Sequence, residues 1–132
     1  MVLLGILSSL VFVNVGTSAA KKKRKLFARE LVGLCHKARR IAAGRGVIST
    51  VYISSDQRRC WIDQEEPLTI PVEMRIEGEG ILELGQGIFG IRFFPDGSSS
   101  GGSLFLSAGN TVLYAFHVDV VTGLLSDIKK EE

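Results

Sequence analysis

The sequence predicts an α+β fold in which a long N-terminal hydrophobic helix packs on an antiparallel β-sheet head. Three observations lead there. Residues 1–20, "MVLLGILSSLVFVNVGTSAA", carry no charge. Apolar residues then recur at three- and four-residue steps as far as Ala42, with no proline to interrupt them. Beyond Gly46 the apolar period falls to two, and glycine-rich turns separate short runs.

The first segment approaches the roughly 20 apolar residues that a membrane-crossing helix needs, although Asn14, Thr17 and Ser18 dilute its end. A secretory signal places its cations before the apolar core and a small-residue cleavage site after it. Here "TSAA" has the small residues, but the cations Lys21, Lys22, Lys23, Arg24 and Lys25 come behind the core. From Leu26 the pattern is amphipathic. Phe27, Leu31, Leu34, Cys35, Ala38, Ile41 and Ala42 form one apolar stripe, and Arg29, Glu30, Lys37, Arg39 and Arg40 take the other faces. "AAGRG" ends the helix, with Gly44 or Gly46 suited to a left-handed C-terminal position. A continuous helix over residues 1–43 would be roughly 60 Å long at 1.5 Å per residue, longer than a small domain needs.

The strand candidates follow. "VISTVYI", "CWI", "VEMRI", "FGIRFF", "SLFLS" and "VLYAFHVDV" alternate apolar with polar residues. The cleanest sets are Val72, Met74 and Ile76; Phe89, Ile91 and Phe93; and Val112, Tyr114, Phe116, Val118 and Val120. One covered and one wet face suits an antiparallel sheet. "GEG" and "GQG" read as turns or bulges, and "TG" at Thr122 and Gly123 as a tight hairpin connection.

Composition limits the function. A chain of 132 residues builds one modest domain. At 45% hydrophobic residues it has enough apolar surface to fold. Sixteen basic against fourteen acidic residues leave +2, too balanced for composition to indicate nucleic acid as a partner. Cys35 and Cys60 have neither a CxxC partner nor metal-ligand spacing and read as buried thiols, which an oxidising compartment would allow to bridge.

No chemistry emerges from the remaining polar residues. His117 and Asp119 share a strand face, but His36 lies on another element and supplies no third metal ligand. Glu65 with Glu66, and Glu77 with Glu79, are acidic pairs near turns, where carboxylates stay solvated. "GEGILELGQG" lacks the GxGxxG order and a following helix, and "GSSSGG" is no nucleophile elbow. No catalytic residue, cofactor or metal is expected, and the chain is not read as an enzyme.

In "FFPDGSSSGG", Pro95 and Asp96 suit the centre of a type I turn and Gly97 the left-handed position after it. Phe93 is expected in the core and Ser98 to Gly102 in a mobile tip. The stretch "IRFFPDGSSSGG", followed by a strand pair and "VDVVTGLLSD", resembles the C-terminal half of GspH/FimT-type minor pseudopilins of type II secretion systems. "ARELVGLCHKARRIAAGRGV" looks like the part of that family where the helix enters the head, and "VLLGILSSLVFV" is similar to the second half of a type IV pilin-like membrane segment.

The resemblance implies a structural subunit, with residues 1–20 as the membrane-embedded stem, 21–46 as basic collar and amphipathic helix, and 47–132 as a periplasmic β-rich head. Leu3, Leu4, Ile6, Leu7, Leu10, Val11 and Phe12 would form the membrane and assembly helix. Lys21, Lys22, Lys23, Arg24 and Lys25 would mark its exit from the membrane, and Phe93, Phe94, Pro95, Asp96 and Gly97 would be the family's signature turn. A nuclear address would explain the charge run but neither the apolar start nor the turn. The family's processing site, a basic leader ending in glycine before a phenylalanine and a glutamate, is absent, so the chain is expected to be N-terminally truncated relative to the family. The implied place is the bacterial inner membrane, crossed once, with membrane lipid, other minor pseudopilins and the major one as partners. Nucleic acid is not expected among them. The alternative is a FimT-like minor pilin of a type IV pilus, acting in pilus assembly or DNA uptake.

Overall fold

In a computed structural model, which describes residues 2–129 with side chains from residue 19 onward, one helix precedes nine strands. Helix α1 spans Val2–Arg45. Its described apolar stripe is buried: Phe27, Ala28, Leu31, Leu34, Cys35, Ala38 and Ala42 all lie in the core. The helix stops where Gly46 turns left-handed at φ 66°. There the Gly46 and Val47 amides both donate to the Ala42 carbonyl, at 3.0 and 3.3 Å, satisfying a backbone acceptor that the helix end would leave open.

The strands are β1 (Ser49–Ser54), β2 (Arg59–Trp61), β3 (Leu68–Thr69), β4 (Met74–Glu79), β5 (Leu82–Gly85), β6 (Ile88–Phe93), β7 (Gly102–Ala108), β8 (Thr111–Val118) and β9 (Leu125–Lys129). They form two antiparallel sheets, ordered β3-β2-β1-β6-β5 and β4-β7-β8-β9. The chain therefore changes sheet three times, before β4, before β5 and before β7. Arg58 fixes the first crossing. With φ at 53°, its guanidinium donates to the carbonyls of Ile70 at 3.4 Å, Pro71, and Met74 at 3.0 Å.

One contiguous core joins the layers. The helix stripe meets Val51, Ile53, Cys60, Ile91 and Phe93 from the first sheet, and Met74, Ile76, Leu104, Leu106, Tyr114, Phe116 and Val118 from the second. On the outer face of the first sheet, the directly paired Tyr52 and Trp61 stack with ring centroids 5.4 Å apart. The Arg59 guanidinium lies 5.8 Å from the Trp61 ring centre.

This architecture corrects the expected α+β arrangement of a long apolar stem on one sheet. The strands divide between two sheets, the molecule is β-rich, and the described part of the helix serves as an amphipathic cover. Among the described residues no helix is long and apolar enough to cross a membrane. The physical reason is that period-two alternation states which face of a strand is covered, not which strand lies beside it. Two strand limits also differ from the alternation pattern. Val72 stands 87% exposed before β4 begins, and Val120 lies beyond the end of β8.

Candidate assembly surface

After β6 the chain reverses over residues 94–97, where the Gly97 amide donates to the Phe94 carbonyl at 3.0 Å and Gly97 takes φ 93°. Phe93 is fully buried beneath this turn and anchors it. The exposed Asp96 carboxylate accepts from the Ser98 hydroxyl at 2.6 Å and the Ser98 amide at 3.0 Å. These bonds favour the charged form and hold the carboxyl below its ordinary range, the hydroxyl contributing most.

The serines after the turn are clamped, contrary to the mobile tip expected for them. Ser99 is buried; its amide donates to the Val120 carbonyl at 2.8 Å and its hydroxyl to the Asp119 carbonyl at 2.7 Å. The Ser99 oxygen also accepts from the Gly101 amide at 3.0 Å. The Ser100 hydroxyl accepts from the Arg92 amide at 2.9 Å while the Ser100 amide donates to the Arg92 carbonyl at 2.9 Å.

The loop joining β8 to β9, residues 119–124, receives the two bonds that Ser99 donates. Rather than a tight hairpin at Thr122 and Gly123, it is a six-residue loop with its own bracing. Asp119 Oδ1 accepts from the Val121 amide at 2.8 Å, an Asx turn. The Gly123 amide donates to the Asp119 carbonyl at 2.9 Å, with Gly123 left-handed at φ 67°. Helix α1 completes the junction through Arg39, whose Nε donates to the Thr122 carbonyl at 3.0 Å. Turn, loop and helix are thus tied together.

What this junction displays is apolar. Val120, Val121 and Leu124 are 56%, 78% and 49% exposed on a loop whose backbone is held from three sides. Exposing these three apolar side chains to water is unfavourable, and the bracing keeps the loop from folding them inward. The sequence pattern puts Arg39 on a polar helix face and Val120 at the end of a strand, with a turn at Thr122 and Gly123, and it does not single out Val121 or Leu124. The available signal was Asp119 two residues before Val121, the spacing of an Asx turn.

The other expected site residues fall elsewhere. The side chains of Leu3, Leu4, Ile6, Leu7, Leu10, Val11 and Phe12 lie outside the described residues. In the collar, Lys22, Lys23 and Lys25 are exposed and Lys21 and Arg24 half-buried. Lys25 stands about 21 Å along the helix from Arg39, at 1.5 Å per residue, so collar and turn are separate places. Asp119 is in the loop and not beside His117 on the strand, and His117 Nδ1 instead lies 3.1 Å from the Ser103 hydroxyl. Among the described residues no group of three His, Cys, Asp or Glu side chains could hold a metal ion. Cys35 and Cys60 are unbridged and buried.

No family model, no curated protein and no solved structure matches this chain.

Proposed function

We infer that the chain is a structural subunit of an assembly, working through surface contacts rather than chemistry. The observation that carries this reading is the braced apolar loop of Val120, Val121 and Leu124. More particularly, it acts as a minor pseudopilin of the GspH/FimT type, part of the periplasmic filament with which a type II secretion system exports folded proteins. The resemblance of "IRFFPDGSSSGG" and "VDVVTGLLSD" supports that choice, and those two segments are the ones that bond to each other. In this reading the protein sits at the bacterial inner membrane with its head in the periplasm, and its partners are other minor pseudopilins and the major one.

The test places a photo-crosslinking residue at position 121 of the full chain in a secreting bacterium. A crosslink to another filament subunit, together with loss of secretion in Val121→Glu, is the expected result. Because Val121 is 78% exposed, that substitution should leave folding within about 0.5 kcal/mol of the parent. Unchanged secretion, with no subunit crosslinked, would overturn the assignment.

A further inference from the structure

Charge divides unevenly along this chain. Residues 21–45 hold ten of the sixteen cations and one of the fourteen acids, so that stretch carries +9. Residues 46–132 hold six cations and thirteen acids and carry −7. The total of +2 conceals a basic helix joined to an acidic body.

Part of that negative charge surrounds a groove of about 480 Å³ where the two sheets present open edges, β4 from the second and β5 from the first. Ile81, Ile88 and Phe89 are half-buried in its lining, and Glu77 and Glu83 stand exposed on it. Among the described residues no cation lines the groove, and neither glutamate has an ion pair or hydrogen bond. The Asp56 carboxylate lies against Gly87, which belongs to the same lining.

Helix α1 presents the complement. Lys22 and Lys23 are exposed, and Leu26, 56% exposed, follows them by four and three residues, so the three share one side of the helix. An apolar side chain with two ammonium groups one turn away suits an apolar groove rimmed by carboxylates. The two do not meet within one molecule. Lys25 of the collar lies beside β9, and the sheet order sets β4 three strands away, about 14 Å at the usual strand spacing.

We propose that the groove between β4 and β5 receives the collar of a second copy of this chain. Leu26 then covers Ile81 and Ile88, while Lys22 and Lys23 meet Glu77 and Glu83. The contact is heterologous, head to stem, so a pair of copies leaves one groove and one collar open to further copies. The inference goes beyond the filament reading and does not need it, because the division of charge carries it.

The full chain, in micelles of a neutral detergent, is given a photo-crosslinking residue at position 26. A crosslink to residues 76–89 of a second copy is expected, weakening as salt rises from about 0.05 to 0.5 M. Glu77→Lys with Glu83→Lys, or Lys22→Glu with Lys23→Glu, should each lower self-association at least about tenfold, because reversal sets like charges together. Mixing the two reversed chains should restore it, since the groove of one again faces a collar of opposite sign. All four positions are exposed, so the variants should keep the parent fold, which circular dichroism checks. A chain that stays monomeric, self-association indifferent to both reversals, or a crosslink only to phosphatidylglycerol added to the micelles would overturn the proposal. Crosslinking at position 121 reads the filament assignment separately, so either reading can fail alone.

Discussion

Individual residues in the junction are constrained most tightly at Gly123. Its left-handed φ of 67° already strains any other residue, and a Cβ there would run into the Gly97 carbonyl oxygen and press on the Arg39 side chain. Backbone oxygen does not swing aside as a side-chain tip would. Gly123→Ala should therefore lower stability by more than about 1 kcal/mol. Gly33 makes the opposite case: a Cβ there meets nothing within 4 Å, inside a regular helix. Gly33→Ala should raise stability by about 0.5–1 kcal/mol. Denaturant unfolding of the two variants checks the pair, and equal signs would show that the junction glycine is not strained. From the sequence, Gly123 could be read as a turn glycine, but its steric partner Gly97 lies on a different loop.

At the scale of elements, Arg39 links the helix to the β8–β9 loop while Ser99 links that loop to the turn after β6. Arg39→Leu removes a side-chain bond worth about 0.5–1.5 kcal/mol. The effect should concentrate locally, since the loop keeps its bonds to Ser99 but loses its tie to the helix. Hydrogen exchange at the Val121 and Gly123 amides should speed up severalfold, while the β7 and β8 amides stay as protected as before. Faster exchange throughout both sheets would instead make Arg39 a global fold determinant. The helix stripe and the turn at Pro95 and Asp96 were legible because they depend on neighbours within four residues. The Arg39 contact joins residues 83 apart in sequence and leaves no local pattern.

Across the whole molecule, the single core predicts a single transition. Cys35 reaches it from the helix and Cys60 from β2, and both are fully buried. Burial pushes the Cys35 thiol up to about 12 from 9.0. Cys60 is raised as well, by burial first and then by the nearness of Cys35. Both thiols are neutral in the fold, and stability that depends on their protonation is complete below the unfolded value of 9.0 and is lost as pH rises above it. At neutral pH an alkylating reagent should label neither until the molecule opens, and the two rates should fall together with global stability. Labelling of Cys60 alone in native buffer would mean that β2 opens independently of the helix.

The amino-acid pattern by itself determined the secondary elements: a helix with one buried stripe ending at Gly46, short alternating strands, and the turn between Phe94 and Gly97. Each follows from steric preference and periodicity over a few neighbouring residues. Only the tertiary structure decided that the strands form two sheets instead of one, that the serines after the turn are clamped, and that Val120, Val121 and Leu124 face outward. These features depend on which distant segments meet, and alternation along a strand is the same whichever neighbour it finds.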